Sequence, residues 1–324
     1  MERYILVDTL RAYPLELEKY PEHQDDTELV QIAVKKNAMA LQYASIRLQD
    51  DFETVMIAVK KNGLSLQYAS DLLKNNRTIV QQAIVSNGSA LQFVSEELRM
   101  NRELVLEASR TCDAEFIPTE FLADEEIARN LMKNNCTSFS FLADELRSKV
   151  EFVTEAVGRD FDMIFYVPDV FFEVKENVLA LISENAAAMQ EVPDHFKKDR
   201  EIAMAAMKAS GNSWAYSSLS EELQRDAEII RTLVDNMEFN YDDELTFVNV
   251  FVSENIPKEL LADDEFVIRI AEIYECTENS ITLDKRLVLR MIELGVFNED
   301  IFDDEILDDP EVTSAITDYI NRNE

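Results

Sequence analysis

Three near-identical phrases fill the stretch from residue 26 to residue 98. Residues 26–48 read DTELVQIAVKKNAMALQYASIRL, residues 51–73 read DFETVMIAVKKNGLSLQYASDLL, and residues 76–98 read NRTIVQQAIVSNGSALQFVSEEL. The interval between copies is 25 residues throughout. Self-similarity at a fixed period of this size is typical of stacked supersecondary units. The sequence therefore predicts a repeat protein.

Within the first copy, the apolar residues recur at helical spacing. They are Val30, Ala33, Val34, Leu41, Ala44 and Leu48. Gaps of three and four residues favour a helix, whereas a strand would alternate. Asn37 and the residue after it, which is Gly in the next two copies, indicate a helix stop, because both residue types tolerate the left-handed conformation. Each copy predicts one long helix, a tight turn and a second short helical segment.

A four-residue tag continues this pattern beyond residue 98, usually with Ser or Pro first and Leu or Phe fourth. Its first residues are Ser45, Ser70, Ser95, Pro118, Ala143, Pro168, Pro193, Ser220, Pro257, Ser280 and Asp304. Most of the residues eight positions before the tag are Asn or Asp, at the predicted helix stop. The pattern predicts an all-α fold, an α-solenoid of about eleven two-helix repeats of about 25 residues.

The domain organisation follows from where this pattern starts, lengthens and stops. Residues 1–24 are interpreted as an N-terminal cap or half-repeat, and the helical repeat array is predicted over residues 25–309. The interval of 37 residues between two successive tags predicts an insertion near residues 225–256. Residues 310–324 are predicted to form a C-terminal capping helix, which solenoids need at their ends.

The composition of the chain indicates the cellular compartment in which we expect the protein. Nothing at the start of the chain resembles a secretory signal, and no apolar run approaches the roughly 20 residues of a membrane span. The three cysteines, Cys112, Cys136 and Cys276, lie far apart and have no metal-like spacing. An odd number of scattered cysteines suits a reducing compartment. We therefore expect a cytoplasmic protein (in the host cytosol, if it comes from a virus or pathogen) with no membrane contact.

The net charge of −34 is extreme and unevenly spread. Residues 1–162 hold 18 basic and 28 acidic side chains, and residues 163–324 hold 13 basic and 37 acidic ones. A field of this sign repels nucleic acid and anionic lipid and attracts basic partners. We expect a basic protein partner and no direct nucleic-acid binding, while the charge leaves the oligomeric state open.

The sequence offers no set of residues for catalysis. His195 occupies a tag slot that varies from Arg to Leu to Glu in other repeats, which predicts an exposed side chain, and His23 lies in the N-terminal cap. Five dispersed glycines cannot form a phosphate-binding loop. We therefore predict no catalytic residue, no cofactor and no metal site, and a protein that is not an enzyme.

Two groups of residues are candidates for binding a partner. The first is an acidic run near the C-terminus: Glu299, Asp300, Asp303, Asp304, Asp308 and Asp309. It lacks the turn glycine and alternating acids of a calcium loop, so it is either a solvated face or a surface for Lys and Arg of a partner. From residue 291 to residue 321 there are ten acidic residues and no Lys or Arg.

The second group is a column of aromatic residues two positions before the tag. Its members are Tyr43, Tyr68, Phe93, Phe116, Phe141 and Tyr166. One interpretation is an aromatic ladder in the core; the other is a groove that accepts a peptide or helix. The hydroxyls of Tyr43 and Tyr68 indicate that this edge reaches water or a partner.

The repeated phrase D-x-E-x-V-x-x-AVKKNG-x-x-LQYAS-x-x-L resembles the repeat of the family catalogued as domain of unknown function 4116. The resemblance is specific over residues 26–48, 51–73 and 76–98 and only skeletal from Cys112 onward. It implies tandem repeats without an assigned enzymatic activity. It supplies no site residues.

These observations support three hypotheses of different classes. The first is a non-enzymatic helical-repeat scaffold that binds a protein with a basic surface or segment. The second is an acidic mimic of nucleic acid that blocks a nucleic-acid-binding protein, as a viral or pathogen inhibitor would. The third is a hydrolase built on the insertion near residues 225–256, which would require a closed pocket with two carboxylates of perturbed pKa.

Overall fold

The structure is a computed structural model that describes residues 3–209, 212–236, 256–275, 283–296 and 304–323. All regular structure in these ranges is helical, and none of their residues forms a strand. The prediction of an all-α repeat fold is confirmed. Most of the predicted insertion (residues 237–255), the tag at Ser280 and the acidic residues 299–303 lie outside the described residues.

Each repeat begins with one long helix, and we number the repeats from 1 to 11 in chain order. One residue directly precedes each of these helices. These residues are Asp26, Asp51, Asn76, Asn101, Asp124, Lys149, Val174, Asp199, Asp226, Asp263 and Asp284. The long helices are Thr27–Lys36, Phe52–Lys61, Arg77–Ser86, Arg102–Ala108, Glu125–Asn134, Val150–Arg159, Lys175–Glu184, Arg200–Lys208, Ala227–Asn236, Asp264–Glu275 and Lys285–Leu294. Two further helices flank them, Arg3–Ala12 and Pro310–Asn323.

The second segment of a repeat divides into two pieces. The first piece is a 3₁₀ helix in repeats 1 to 7: Ala38–Tyr43, Gly63–Tyr68, Gly88–Phe93, Ala114–Phe116, Cys136–Phe141, Phe161–Tyr166 and Ala186–Gln190; in repeat 8 it is the α-helix Asn212–Ser218. The second piece is a single helical turn that starts at or shortly after the first tag residue: Ile46–Gln49, Asp71–Lys74, Glu96–Arg99, Thr119–Phe121, Asp144–Arg147, Asp169–Glu173, Phe196–Lys198, Leu223–Arg225, Lys258–Leu261 and Asp304–Leu307. The sequence predicted one short helical segment here, and the structure resolves it into two.

The chain divides into two compact units, Met1–Phe152 and Val153–Glu324. In the first unit each long helix packs on the next, and the 3₁₀ helices pack on each other in a second layer. The N-terminal helix Arg3–Ala12 packs on the long helix of repeat 1, as another repeat would. In the second unit the long helices of repeats 7 to 11 and the final helix again pack in chain order.

The core of each repeat comes from the same four positions of the long helix. In repeat 1 they are Leu29, Val30, Ala33 and Val34, all fully buried. Their spacing places them on one face of the helix. The apolar residues that the sequence singled out after the turn, including Leu41 and Leu48, are buried too. None of the helices in the described residues is long and apolar enough to cross a membrane.

The helix stop at Asn lies where it was predicted, but the physical reason was wrong. Asn62 is extended, with φ −154° and ψ 113°, and among the described residues only Gly295 has a positive φ. The Asn62 side chain accepts a hydrogen bond from the backbone N–H of Leu64 at 3.0 Å. Asn at this position therefore caps the following 3₁₀ helix rather than closing the long helix in a left-handed turn.

The tag residue joins neighbouring repeats through its backbone. The N–H of Ser45 donates to the carbonyl of Gln24 at 2.7 Å, and that of Ser70 donates to Gln49 at 2.9 Å. The same bond recurs from Ser95, Ala143 and Ser220. Proline has no backbone N–H, so this bond cannot form where the tag begins with Pro118, Pro168, Pro193 or Pro257. The exchange of Ser for Pro in the sequence therefore removes a link between repeats.

Gly63 and Gly88 are required by close approach to the next repeat. A Cβ at Gly63 would lie 2.1 Å from the carbonyl oxygen of Ala83, and a Cβ at Gly88 would lie 2.3 Å from that of Ala108. Both clashes are with backbone, which cannot rotate away. Each glycine N–H also donates to a hydroxyl of the next repeat, Ser86 or Thr111, at 3.1 and 3.0 Å.

We expect Gly63→Ala to lower the free energy of unfolding by about 1–3 kcal/mol, the range for overpacked sites. The matched control is Gly158→Ala in the helix Val150–Arg159, because an added Cβ there meets nothing within 4 Å. That control should stabilise by about 0.5–1 kcal/mol, since alanine is the better helix former. Urea unfolding followed by circular dichroism measures both. Equal stability of the two variants would contradict this account of Gly63.

Candidate functional site

The acidic run is only partly within the described residues. Glu299, Asp300 and Asp303 lie outside them, and Asp304 is described only as the first residue of a helical turn. Asp308 is exposed. Asp309 caps the final helix, because its carboxylate accepts hydrogen bonds from the backbone N–H groups of Glu311 and Val312. The structure thus gives Asp309 a role in the fold itself.

The aromatic column lies at the surface, so its interpretation as a core ladder is wrong. Tyr43, Tyr68, Phe93 and Phe116 are half-buried, and Phe141 and Tyr166 are exposed. The core position of this segment is instead the residue two places earlier, such as Leu41 and Leu66, which are fully buried. Desolvation, with smaller effects of nearby Glu18 and Tyr68, raises the pKa of the Tyr43 hydroxyl. Tyr43 and Tyr68 are therefore partly exposed at the surface of the first unit.

Ion pairs between repeats lie at the N-terminal ends of the long helices. In repeat 4 the guanidinium of Arg102 lies 2.7 Å from the Asp124 carboxylate and 3.0 Å from that of Glu126, both in repeat 5. The same arrangement recurs at Arg3, Lys175, Arg200 and Lys285, each of which bridges to the capping Asp and the following Glu of the next helix. The carboxylates here also face helix N-termini, where negative charge is favourable.

We call this series of ion pairs between repeats the ion-pair ladder. Sequence reasoning did not predict it, although the sequence contains a signal for it. A Lys or Arg stands 22 to 26 residues before an acidic helix start, as with Arg102 and Asp124 or Arg200 and Asp226. The hydrogen bond from Arg102 is the largest cause of the lowered pKa of Asp124. The ladder pairs several of the 31 basic side chains with carboxylates of the next repeat at the surface, so these cations are not available to the other acidic groups.

The first unit also carries a small basic area. Lys35, Lys36, Lys60 and Lys61 end the adjacent long helices of repeats 1 and 2, and all four are exposed. None of them forms an ion pair with another described residue. Positive charge at a helix C-terminus is favourable on its own, which explains their position.

The described residues with catalytic potential include Cys112 and His195. Burial raises the pKa of the Cys112 thiol to about 12, which keeps it protonated, and a protonated thiol is a poor nucleophile. His195 is exposed, as predicted, and its ring contacts Phe196. No group of three or more His, Cys, Asp or Glu in the described part of the chain could hold a metal ion.

One open groove crosses the long helices of repeats 7 to 9, with a volume of about 730 Å³. Leu179, Met204 and Lys208 line it together with the carboxylates of Glu201 and Glu228. Lys175 holds Glu201, and Arg200 holds Glu228. Both carboxylates are thus engaged in the ion-pair ladder rather than aimed at a bound molecule.

A cluster of exposed apolar side chains lies in the second unit. Phe165, Tyr166, Val170 and Val174 have exposed fractions of 66%, 45%, 53% and 43%. We call these four residues the 165–174 patch. Sequence reasoning placed only Tyr166 in a candidate surface. Phe165, Val170 and Val174 stand at repeat positions that are mostly polar in the other repeats. This departure from the repeat pattern is the sequence signal that could have identified them.

The fold and its recurring register define a protein of tandem α-helical repeats, in which long helices pack on their sequence neighbours within each compact unit. The chain belongs to the family described as Domain of unknown function (DUF4116). The family profile matches residues 26–74, 51–84, 76–122, 101–147, 124–172 and 175–224, which together span more than half of the chain. No curated protein and no solved structure matches it.

Substitutions of Asp226 test the contribution of the ion-pair ladder to stability, because Asp226 both caps a helix and pairs with Arg200. It accepts hydrogen bonds from the backbone N–H groups of Glu228 and Ile229. Asp226→Ala should cost about 0.5–2 kcal/mol of stability, the usual loss on removing a cap. Asp226→Asn should cost less, because Asn76 and Asn101 cap the long helices of repeats 3 and 4 in the same way.

The pH dependence separates capping from charge. The hydrogen bond from Arg200 is the main cause of the lowered pKa of Asp226, so the charged form stabilises the fold. This stabilisation is fully present above the unfolded pKa of about 3.9 and is lost as pH falls through the folded pKa. Urea unfolding from about pH 6 to pH 3 should therefore show the gap between wild type and Asp226→Asn closing below about pH 4. A gap that stays constant would show that the charge contributes nothing.

Proposed function

We propose that this protein is a non-enzymatic helical-repeat scaffold that binds a partner protein with a basic surface or segment. The observation that carries the proposal is the uncompensated acidic surface. The chain has 65 acidic and 31 basic side chains, and the fold uses several of the basic ones to join repeats. A partner that approaches the protein therefore meets mainly carboxylates.

The charge distribution favours contact with the C-terminal half. Residues 163–324 hold 37 acidic side chains against 13 basic ones. In the first unit, the exposed lysines at 35, 36, 60 and 61 would repel a basic partner. We assign the main attraction to Glu299, Asp300, Asp303, Asp304 and Asp308, with Asp309 contributing to the same field while it caps the final helix.

Three observations support a binding role rather than catalysis. The buried Cys112 thiol stays protonated, the carboxylates of the open groove are held in ion pairs, and the repeats use their apolar residues for packing. The two described cysteines, Cys112 and Cys136, are free thiols, which supports a reducing compartment such as the cytoplasm. Tyr43 and Tyr68 offer a second contact area, because aromatic side chains are enriched in interfaces.

The proposal predicts a partner whose binding weakens with salt and depends on the acidic run. The experiment captures partners from the source cells, identifies cross-linked lysines by mass spectrometry, and measures the affinity of the purified partner between about 50 and 300 mM salt. A variant with Asn or Gln at residues 299, 300, 303, 304 and 308 should bind more weakly and with a flatter salt dependence. Asp309 stays unchanged so that the final helix keeps its cap.

The matched control removes the same number of charges from the first unit. Its positions are Glu53, Asp71, Glu96, Glu115 and Glu120, all of which are exposed. The control should keep most of the affinity. A partner that binds both variants and the wild type equally, without salt dependence, would refute the proposal. A captured nucleic-acid-binding protein that DNA or RNA displaces would favour the acidic-mimic function instead.

A further inference from the structure

Phe165 breaks the repeat pattern at a surface position. It stands three residues before the tag, in the slot next to the aromatic column. The other residues of this slot in repeats 1 to 8 are all polar: Gln42, Gln67, Gln92, Glu115, Ser140, Gln190 and Ser217. The fold explains the polar residues, because the slot faces solvent. It does not explain an exposed phenylalanine.

Val170 and Val174 break the pattern in the same short stretch. Val170 occupies the tag slot that is charged in most repeats, with Glu120 in repeat 4 and Glu145 in repeat 5, although repeat 2 has the exposed Leu72 there. Val174 precedes the long helix of repeat 7, where most other repeats have a capping Asp or Asn, and this helix has no side-chain cap. Apolar residues replace polar ones at three solvent-facing slots within ten residues.

The packing of this stretch is complete without the 165–174 patch. Met163, Ile164, Val167 and Phe171 fill the core positions and are buried. The exposed side chains are thus additional apolar surface rather than loosely packed core. An exposed apolar cluster with a polar rim is typical of a protein-binding surface.

The stretch that contains the patch has one sign of charge. Residues 160–174 read DFDMIFYVPDVFFEV, with four acidic residues and no Lys or Arg. Asp162, Asp169 and Glu173 are exposed, whereas Asp160 caps the 3₁₀ helix that contains Phe165. The two cations that flank this stretch are paired, because Arg159 lies 3.5 Å from Glu155 and Lys175 bridges to Asp199 and Glu201 of the next repeat. The patch therefore combines aromatic side chains with carboxylates that form no ion pair with another described residue.

We propose that the 165–174 patch binds a segment of the partner protein in which an apolar or aromatic side chain is flanked by Lys or Arg. Phe165 and Tyr166 receive the apolar side chain, since buried aromatic residues carry most of the binding energy in such interfaces. Asp162, Asp169 and Glu173 pair with the flanking cations and fix the register of the segment. This proposal rests on the proposed function, because it names where the basic partner makes its apolar contact.

The test uses two variants of the full chain. Phe165→Gln installs the residue that repeats 1 to 3 carry at this slot, and Val170→Glu installs the one that repeats 3 to 5 carry, so the variant should fold. The control is Ile46→Gln with Leu72→Glu, which removes two exposed apolar side chains from the first unit. Circular dichroism and the unfolding midpoint check that both variants retain the fold.

The probes are twelve-residue peptides selected on the wild-type protein from a random phage-displayed library, then synthesised with a fluorescein label. We expect sequences with an apolar or aromatic residue between Lys or Arg residues. Fluorescence anisotropy should give a dissociation constant at least about tenfold higher for Phe165→Gln/Val170→Glu, as expected for loss of a central aromatic contact. The control should stay within about twofold of the wild type.

Other outcomes overturn this inference, and they separate it from the proposed function. If basic peptides bind Phe165→Gln/Val170→Glu as tightly as the wild type, the patch is not their binding site, and the proposed function is unaffected. Selected peptides that are acidic or uncharged, or an empty selection, would count against both. If light scattering shows a wild-type dimer that this variant dissociates, the patch is a contact between two copies and the peptide proposal is wrong.

Discussion

The stacking of one long helix on the next within each compact unit is the constraint on which the rest of the structure depends. A ten-residue helix is marginal alone in water, so its stability comes from burying one face against its neighbours. The same four register positions supply that face in repeat after repeat, as with Leu29, Val30, Ala33 and Val34. Once the helices stack at this spacing, the positions of all other groups follow. Gly63 must then lack a side chain, because the carbonyl of Ala83 in the next repeat occupies the space.

Two polar ladders hold neighbouring repeats in register. The backbone N–H of the tag residue links one side, as from Ser70 to Gln49. Ion pairs at the helix N-termini link another, as from Arg102 to Asp124. Exposed ion pairs contribute little to stability individually, so we assign them chiefly to orientation and to charge distribution. The ion-pair ladder uses basic side chains of a chain that has 65 acidic and only 31 basic residues, so an excess of carboxylates remains for other contacts.

The excess of carboxylates and the 165–174 patch would act at different stages of binding. Long-range attraction between opposite charges raises the rate of encounter, whereas buried apolar contacts slow dissociation. In the proposed function, the acidic C-terminal half attracts the basic partner and Phe165 and Tyr166 retain it. The apolar slots of this stretch would then be a departure from the repeat pattern that serves recognition, since the local packing does not need them.

The sequence by itself determined the repeat, its period, the helical class and the buried positions, because these follow from spacing within one repeat. It also located the stop at Asn62 and the exposed position of His195. Only the tertiary structure decided the relations between residues one repeat apart: why Gly63 is glycine, which carboxylate Arg102 pairs with, and that the column of Tyr43 lies at the surface. The physical reason is that helical periodicity is a local property of the chain. Contacts between residues about 25 positions apart depend on the distance and angle at which repeats stack. A sequence can mark possible partners, as Arg102 and Asp124 show, but only the stacking brings them within reach.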